Sequence, residues 1–257
     1  MRTSGSQGTD FGRVPIADSG VRPALPAGAW QQVAEAGVRY VGSRTLDVGS
    51  GNGPEARALR DLGANVVCTD IALPLLKQAA TFEGPALARA QASAVALPFA
   101  DASFDLVTAA QCWWWFDGVA AAREVRRVLK PGGHVAILAH DWLPLDGNVV
   151  QATEALILEH NPSWGLAGGN GLHPEWRPDV LSSAFEVRSE FHADVLEPFT
   201  HAGWRARIRA SAGVGASLDA AGIQAFDGAL GSLLIERFPG EPLAVAHRSY
   251  GLVARAI

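Results

Sequence analysis

Residues 45 to 56, Thr-Leu-Asp-Val-Gly-Ser-Gly-Asn-Gly-Pro-Glu-Ala, constrain the fold of this chain more than any other stretch. A short apolar run enters a turn with glycine at 49, 51 and 53, and helix-forming sequence begins at Pro54. Glycine has no Cβ, so such a turn can take φ > 0 and its backbone can approach a ligand closely, while the first turn of the next helix aims free N–H groups at it. A strand, a tight turn and a helix in this order predict a cofactor pocket at the carboxyl end of a parallel sheet.

The acids around the turn narrow the ligand. Asp47 stands just before the glycines, where a carboxylate would repel a pyrophosphate but suits a ligand carrying an ammonium and a sulfonium. S-adenosylmethionine is such a ligand. A second β-branched run, Val66-Val67-Cys68-Thr69, ends in Asp70, 21 residues after Gly49. That spacing returns the chain through one helix to a neighbouring strand, where a carboxylate can accept both ribose hydroxyls. Asp70 read by itself also fits a turn or helix-cap acid.

Further blocks follow in order: Ala92 to Phe99, ending Leu-Pro-Phe; Phe104 to Ala110; and Arg127-Val128-Leu129-Lys130-Pro131-Gly132-Gly133 before the apolar run Val135 to Ala139. Together with the glycine turn, they resemble the class I S-adenosylmethionine-dependent methyltransferases, specifically the type 11 small-molecule group, over roughly residues 44 to 141. The resemblance implies a doubly wound, mostly parallel seven-stranded α/β sheet with helices on both faces, S-adenosylmethionine as cofactor and a lid inserted after the fifth strand. In the family the Leu-Pro-Phe segment carries an acid for the adenine amino group, and Ser93 stands there instead. Gln111-Cys112-Trp113-Trp114-Trp115-Phe116-Asp117 looks like the family's aromatic cluster, with Trp114 where a histidine is common. Val21 to Pro26 resembles a degraded Arg-Pro-x-Tyr-Pro segment, from which Arg22 could clamp the methionine carboxylate or stay a solvated or capping arginine. The candidate cofactor-binding residues are Arg22, Asp47, Gly49, Ser50, Gly51, Asp70, Ile71, Ser93, Ala94 and Gln111, with no metal site.

Residues 51 to 56 also satisfy the Gly-x-Gly-x-x-Ala form of a dinucleotide fingerprint, so an NAD(P) oxidoreductase is the rival class. Against it, Asp47 would face the phosphates, and the first glycine of that fingerprint comes three residues beyond Val48. A protein that keeps the fold and cofactor for non-methylating catalysis or regulation is the third reading. The chain of 257 residues has a net charge of −5, with Lys77 and Lys130 its only lysines, and shows no basic stripe to track a phosphate backbone. Nucleic acid is thus not the expected partner. A small-molecule acceptor is expected, acting on a monomer or homodimer. No apolar run approaches the ~18 residues of a membrane span, and residues 1 to 10 are polar, so a cytoplasmic protein is expected. Cys68 and Cys112 lack metal-ligand spacing and read as buried free thiols.

A single domain over 1–257 is expected: an N-terminal helical segment at 1–43, the cofactor core at 44–141, a lid at 142–183, and sheet completion at 184–257. Helices are expected at Pro26–Val38, Pro54–Leu62, Pro74–Ala80, after Asp117 as N-cap, Asn148–Glu159, Thr200–Ala212 and Ser217–Phe238. Residues 161 to 176 read as a glycine-rich loop, and Tyr250 to Ile257 as a last antiparallel strand whose truncation unfolds the protein. Methyl transfer is an in-line displacement, so positioning dominates and a base is needed only if the acceptor must lose a proton. His140, at the end of the fifth strand, is the candidate base, with substrate binding or a loop hydrogen bond as its other readings. Trp114, Asp141, Trp142 and His173 are the candidate substrate residues, His173 being a second choice for the base. Of the three consecutive indoles, Trp115 is expected in the core and Trp113 or Trp114 in the pocket. His134 is expected at the opposite end of the sheet.

Overall fold

A computed structural model of the protein describes residues 23–81 and 87–257. Among these, seven strands form one sheet: β1 (Arg44–Val48), β2 (Asn65–Asp70), β3 (Ala88–Gln91), β4 (Phe104–Ala110), β5 (Leu129–Trp142), β6 (Phe185–Phe199) and β7 (Leu243–Ala256). Their spatial order is β3-β2-β1-β4-β5-β7-β6. β1 pairs in parallel with both β2 and β4, so the chain winds outward in two directions from β1. The crevice outside the carboxyl ends of β1 and β4 is the switch point where such sheets bind ligands. β7 alone is reversed, antiparallel to β5 on one side and β6 on the other.

Because successive strand residues face opposite ways, Leu106 and Val107 belong to different cores. On one face α1 (Ala27–Glu35), α2 (Pro54–Asp61) and α3 (Leu73–Ala79) bring Trp30, Val33, Leu59 and Leu76 onto Leu106 and Leu138. On the other, α4 (Gly118–Val128) and α6 (Trp176–Leu181) bring Val125, Val128, Trp176 and Val180 onto Val107 and Ile137. A third cluster joins α5 (Val149–His160), α7 (His201–Arg209) and α8 (Ala220–Arg237) to Phe199 and Leu243. These three helices therefore cap the sheet end at which β5 and β6 finish and β7 begins. Their starts follow from side-chain caps: Asn148, Thr200 and Asp219 accept from the backbone N–H of Gln151, Gly203 and Gly222.

Two expectations about strands need correction. The helix capped by Asp117 ends at Val128, and β5 begins at Leu129, ahead of the apolar run Val135 to Ala139. Leu129 pairs with Phe104 and is buried, while a register shift between Phe104 and Leu106 absorbs the Pro-Gly-Gly. The last strand starts at Leu243 rather than Tyr250, because β6 continues its pairing from Phe185↔Ala256 to Phe199↔Leu243. No helix among the described residues is long and apolar enough to cross a membrane, and no cluster of His, Cys, Asp or Glu there could hold a metal ion.

Candidate functional site

At the carboxyl end of β1 the chain enters the glycine turn. Asp47 is buried beneath it; Oδ1 accepts from the Thr108 hydroxyl at 2.7 Å, and Oδ2 has no hydrogen-bond partner among the described residues. Burial pushes the Asp47 carboxyl up to about 7, partly offset by the Thr108 bond and reinforced by Asp70. A buried carboxylate oxygen without a donor is the complement of a cationic group above the turn. The residues present therefore fit a ligand with an ammonium and a sulfonium. Asp70, at the end of β2, holds the turn from the other side, its oxygens accepting from Gly51 N at 2.8 Å and Ala72 N at 2.7 Å. Its carboxylate is thus a turn acid in this structure, and each oxygen keeps a further lone pair for a hydroxyl. Burial raises its pKa.

The glycines divide their work. Gly49 has φ +68, and a Cβ on it would stand 2.8 Å from Cys112 Sγ; its lack of a side chain lets the end of β4 close on the turn, where Cys112 Sγ–H donates to Val48 O at 3.2 Å. Gly51 has φ +54, and its missing Cβ would meet nothing nearer than Leu75 Cδ1 at 4.0 Å. Gly51, not Gly49, therefore opens backbone to a ligand. Ser50 is buried, its N–H donating to Thr69 O at 2.9 Å. Ile71 is 72% exposed beside Asp70, an apolar platform at the strand end. Ser93 caps a small turn, accepting from Val95 N at 3.4 Å, whereas the side chain of Ala94 packs into the core near Leu97. Arg22 lies outside the described residues. Gln111 follows β4 with φ +56, held by its N–H to Leu138 O at 2.7 Å. A non-glycine residue kept left-handed at this edge marks a constrained site.

Gln111 also lines a cavity of about 360 Å³ beneath the glycine-rich loop that follows α5. Its walls include Trp114, Trp115, Trp142, Trp164, Asp141 and His173. The loop folds back so that His173 Nε2 meets Asp141 Oδ2 at 2.8 Å, across 32 residues of sequence. Trp176 stacks on the imidazole at 4.2 Å and 5°, and Trp114 packs beside the pair, 5.5 Å from His173 and 6.1 Å from Trp176, at 25° to each. Tyr250 closes the group edge-on, its hydroxyl donating to Glu190 Oε1 at 2.7 Å. Deeper in, Glu154 accepts from Trp142 Nε1 and Gly168 N, both at 2.8 Å, and burial raises its pKa. The Arg207 guanidinium lies 4.6 Å over the Trp142 ring.

His140 does not face this cavity, which corrects the expected base. Its side chain is fully buried between β5 and β7, with Nδ1 3.0 Å from Ser249 Oγ, Nε2 3.4 Å from Glu197 Oε1, and the ring stacked on His247 at 4.9 Å. Burial lowers its pKa, with Glu197 pulling the other way. Asp141 lies on the opposite face of β5, and Trp142, on His140's own face, reaches the cavity from the strand's end, whereas His140 is held one step back against Ser249, Glu197 and His247. Of the three indoles expected to divide between core and pocket, Trp115 changes place while Trp114 lines the cavity. Trp113 is the core indole, its Nε1 donating to Asp179 Oδ2 at 3.1 Å, while Trp115 lines the cavity with Trp114. Both cysteines are free and buried, as expected. Trp176, Tyr250, Glu154 and Arg207 were invisible to sequence reading, because each reaches the site from an element that carries no motif.

Residues 46–137 match the family described as methyltransferase domain. With the sheet order, this gives the core of the chain a Rossmann-like methyltransferase fold similar to the class I S-adenosylmethionine-dependent methyltransferases. Among curated relatives, a malonyl-acyl-carrier-protein O-methyltransferase of Pseudescherichia vulneris is 40% identical over 102 residues, covering 38% of this chain and 40% of that protein. An uncharacterized methyltransferase of Mycobacterium tuberculosis is 33% identical over 117 residues, 46% of each chain. The match thus spans less than half the length of these relatives. Among solved structures, a proposed type II methyltransferase from Anaeromyxobacter dehalogenans superposes with a TM-score of 0.64 at 20% identity, covering 91% of this chain and 97% of that one. The cyclase SpnF shares the fold at a TM-score of 0.52 and 19% identity, covering 88% of this chain and 78% of that one, so the fold alone does not set the reaction.

Proposed function

We propose that the protein binds S-adenosylmethionine over the glycine turn and transfers its methyl group to an oxygen, nitrogen or carbon of a small metabolite in the neighbouring cavity. The donor supplies an electrophilic methyl on a sulfonium when bound. The observation that carries this reading is the unpartnered, buried Oδ2 of Asp47 beneath a turn whose Gly51 is open. Gly51, Asp70 and Ile71 would hold the adenosine, and Asp47 the cationic end. The same buried acid speaks against an NAD(P) cofactor, whose diphosphate would lie over it. Gln111 belongs to both rims, so the acceptor cavity adjoins the donor site. Residues 142–183 act as the lid of a single catalytic domain, and the acceptor's own nucleophile does the chemistry once aligned. Calorimetry tests the reading: S-adenosylhomocysteine binds in the micromolar range and NADH does not. Binding of NADH with no response to S-adenosylhomocysteine would end it.

A further inference from the structure

The cavity holds one side chain built like a positioned base, and it is not the strand histidine. We propose that His173 is the catalytic base for a flat hydroxylated acceptor, an aromatic alcohol of the phenol class, and that Asp141 is its positioning residue. The proposal rests on the methyl-transfer reading above and deepens it.

Three observations carry it. First, the His173 ring is fixed on one face by Trp176, along its flank by Trp114 and at one nitrogen by Asp141, an arrangement that aims the other nitrogen. A neutral imidazole has one N–H to give. Asp141, at 2.8 Å, takes it from Nε2, which assigns the lone pair to Nδ1. Second, the contact that Nδ1 makes among the described residues is to Glu175 Oε1, at 3.3 Å, from a side chain 47% exposed. That longer, exposed contact is the one an acceptor hydroxyl can displace; the hydroxyl brings the proton that a second carboxylate cannot. Third, His173, Asp141 and Glu175 share the cavity with Trp114, Trp115 and Trp142. Indole walls favour a planar aromatic ring, by area and by offset stacking. The other groups facing His173 are Tyr250 of β7, whose hydroxyl also donates to His173 O at 3.3 Å, Glu190 of β6, and Arg177 of α6 beside Glu190.

In the step this arrangement serves, the acceptor O–H proton passes to His173 Nδ1 and the oxygen lone pair forms the bond to the methyl carbon. The carbon–sulfur bond breaks, its electron pair stays on sulfur, and S-adenosylhomocysteine leaves neutral at sulfur. Asp141 stabilises the imidazolium so formed without taking its proton.

The full chain saturated with S-adenosylhomocysteine tests this, with 4-nitrophenol as probe at a pH where the free phenol is neutral. The absorbance of the bound probe reports its ionisation. In the wild type the probe is expected to bind as phenolate. In H173Q it should bind within about threefold of the wild-type affinity but stay neutral, in D141N most of the ionisation should be lost, and D141E should restore part of it. With S-adenosylmethionine, transfer to the probe should fall about 10²-fold to 10⁴-fold in H173Q while S-adenosylhomocysteine affinity holds within about twofold. A wild-type complex that binds the probe neutral, that does not bind it, or an H173Q complex that ionises it equally well would each overturn the proposal. The wild-type arm decides even where H173Q does not fold. Failure of S-adenosylhomocysteine to bind would instead remove the methyl-transfer reading, and this proposal with it.

Discussion

The two halves of the site are built from different materials. The cofactor half is mostly backbone: a turn of glycines, held by one acid below it and one beside it, with its centre within residues 47 to 71 and its rim completed by Thr108 and Gln111. The acceptor half is side chains, drawn from the end of β4, β5, the loop after α5, α6 and β7, and locked by stacking and by the Asp141–His173 contact. Backbone geometry is dictated locally, so the first half tolerates change elsewhere. The second half exists only while distant elements stay packed. Mutations should therefore separate the two.

The largest separation is expected at Trp176. It is buried against the sheet core and stacks on His173, so it ties the loop to the domain. Trp176→Ala should cost about 3 to 5 kcal/mol of stability, the range for truncating a buried aromatic. In the fraction that remains folded, S-adenosylhomocysteine affinity should stay within about twofold while 4-nitrophenol binding is lost. Thermal denaturation and calorimetry on the same samples check this. Equal losses of both ligands would mean the halves are one unit.

On the other side, Asp70→Ala should weaken S-adenosylhomocysteine binding by about 1.5 to 3 kcal/mol, the loss of charge-assisted hydrogen bonds to ribose hydroxyls and of the anchor on Gly51. The fold should survive, and 4-nitrophenol affinity should not move. An unchanged dissociation constant in a folded variant would leave Asp70 only its contacts to Gly51 and Ala72.

This contrast also explains what the sequence discloses. Glycine spacing, Asp47, Asp70 and the β-branched runs are local signals, so the parallel sheet, its order around β1 and the cofactor rim can all be read from residues 44 to 141. The acceptor rim has no such grammar. Nothing in residues 161 to 176 announces that His173 returns to Asp141, because that contact depends on Trp176 finding the core on the far face of the sheet. Three consecutive indoles in a tight turn follow neither the strand nor the helix period, so the reading placed Trp115 inside where the structure buries Trp113. His140 has the strand-end position of a pocket residue, yet its ring is buried against Ser249, Glu197 and His247 while Asp141 and Trp142 beyond it reach the cavity.

A pH experiment sharpens the cofactor side. Asp47 is pushed up to about 7 by burial, whereas an unfolded aspartate titrates near 4. The folded, unliganded chain thus holds a proton the unfolded chain has lost, and Asp47's contribution to stability fades as pH rises from about 4 through about 7. A cationic ligand requires the ionised form and reverses that slope. Below about pH 7, binding must expel the proton, so S-adenosylhomocysteine affinity should fall up to about tenfold per pH unit. Asp47→Asn should bind weakly with a flat profile. Glu55, also raised to about 7 by burial and accepting from Leu25 N at 3.1 Å, is the neighbouring acid to control with Glu55→Gln. A flat wild-type profile would place the ligand's charge elsewhere.

The smallest effect, and the finest cut, lies between two glycines two residues apart. Both have positive φ, so alanine at either is strained by about 1 kcal/mol. At Gly49 the new methyl would also collide with Cys112, whose Sγ and Cβ lie at 2.8 and 2.9 Å, and the end of β4 must shift; overpacking adds about 1 to 3 kcal/mol to the cost in stability. At Gly51 the methyl enters open space, so stability should fall by the backbone strain alone. That space is where the proposed ligand lies. Gly51→Ala should therefore lose more in S-adenosylhomocysteine affinity than in stability, and Gly49→Ala the reverse. Melting curves and calorimetry of the two variants decide it: if Gly51→Ala binds as tightly as the wild type, the cofactor does not approach the turn at Gly51, and the cationic complement to Asp47 must come from another direction.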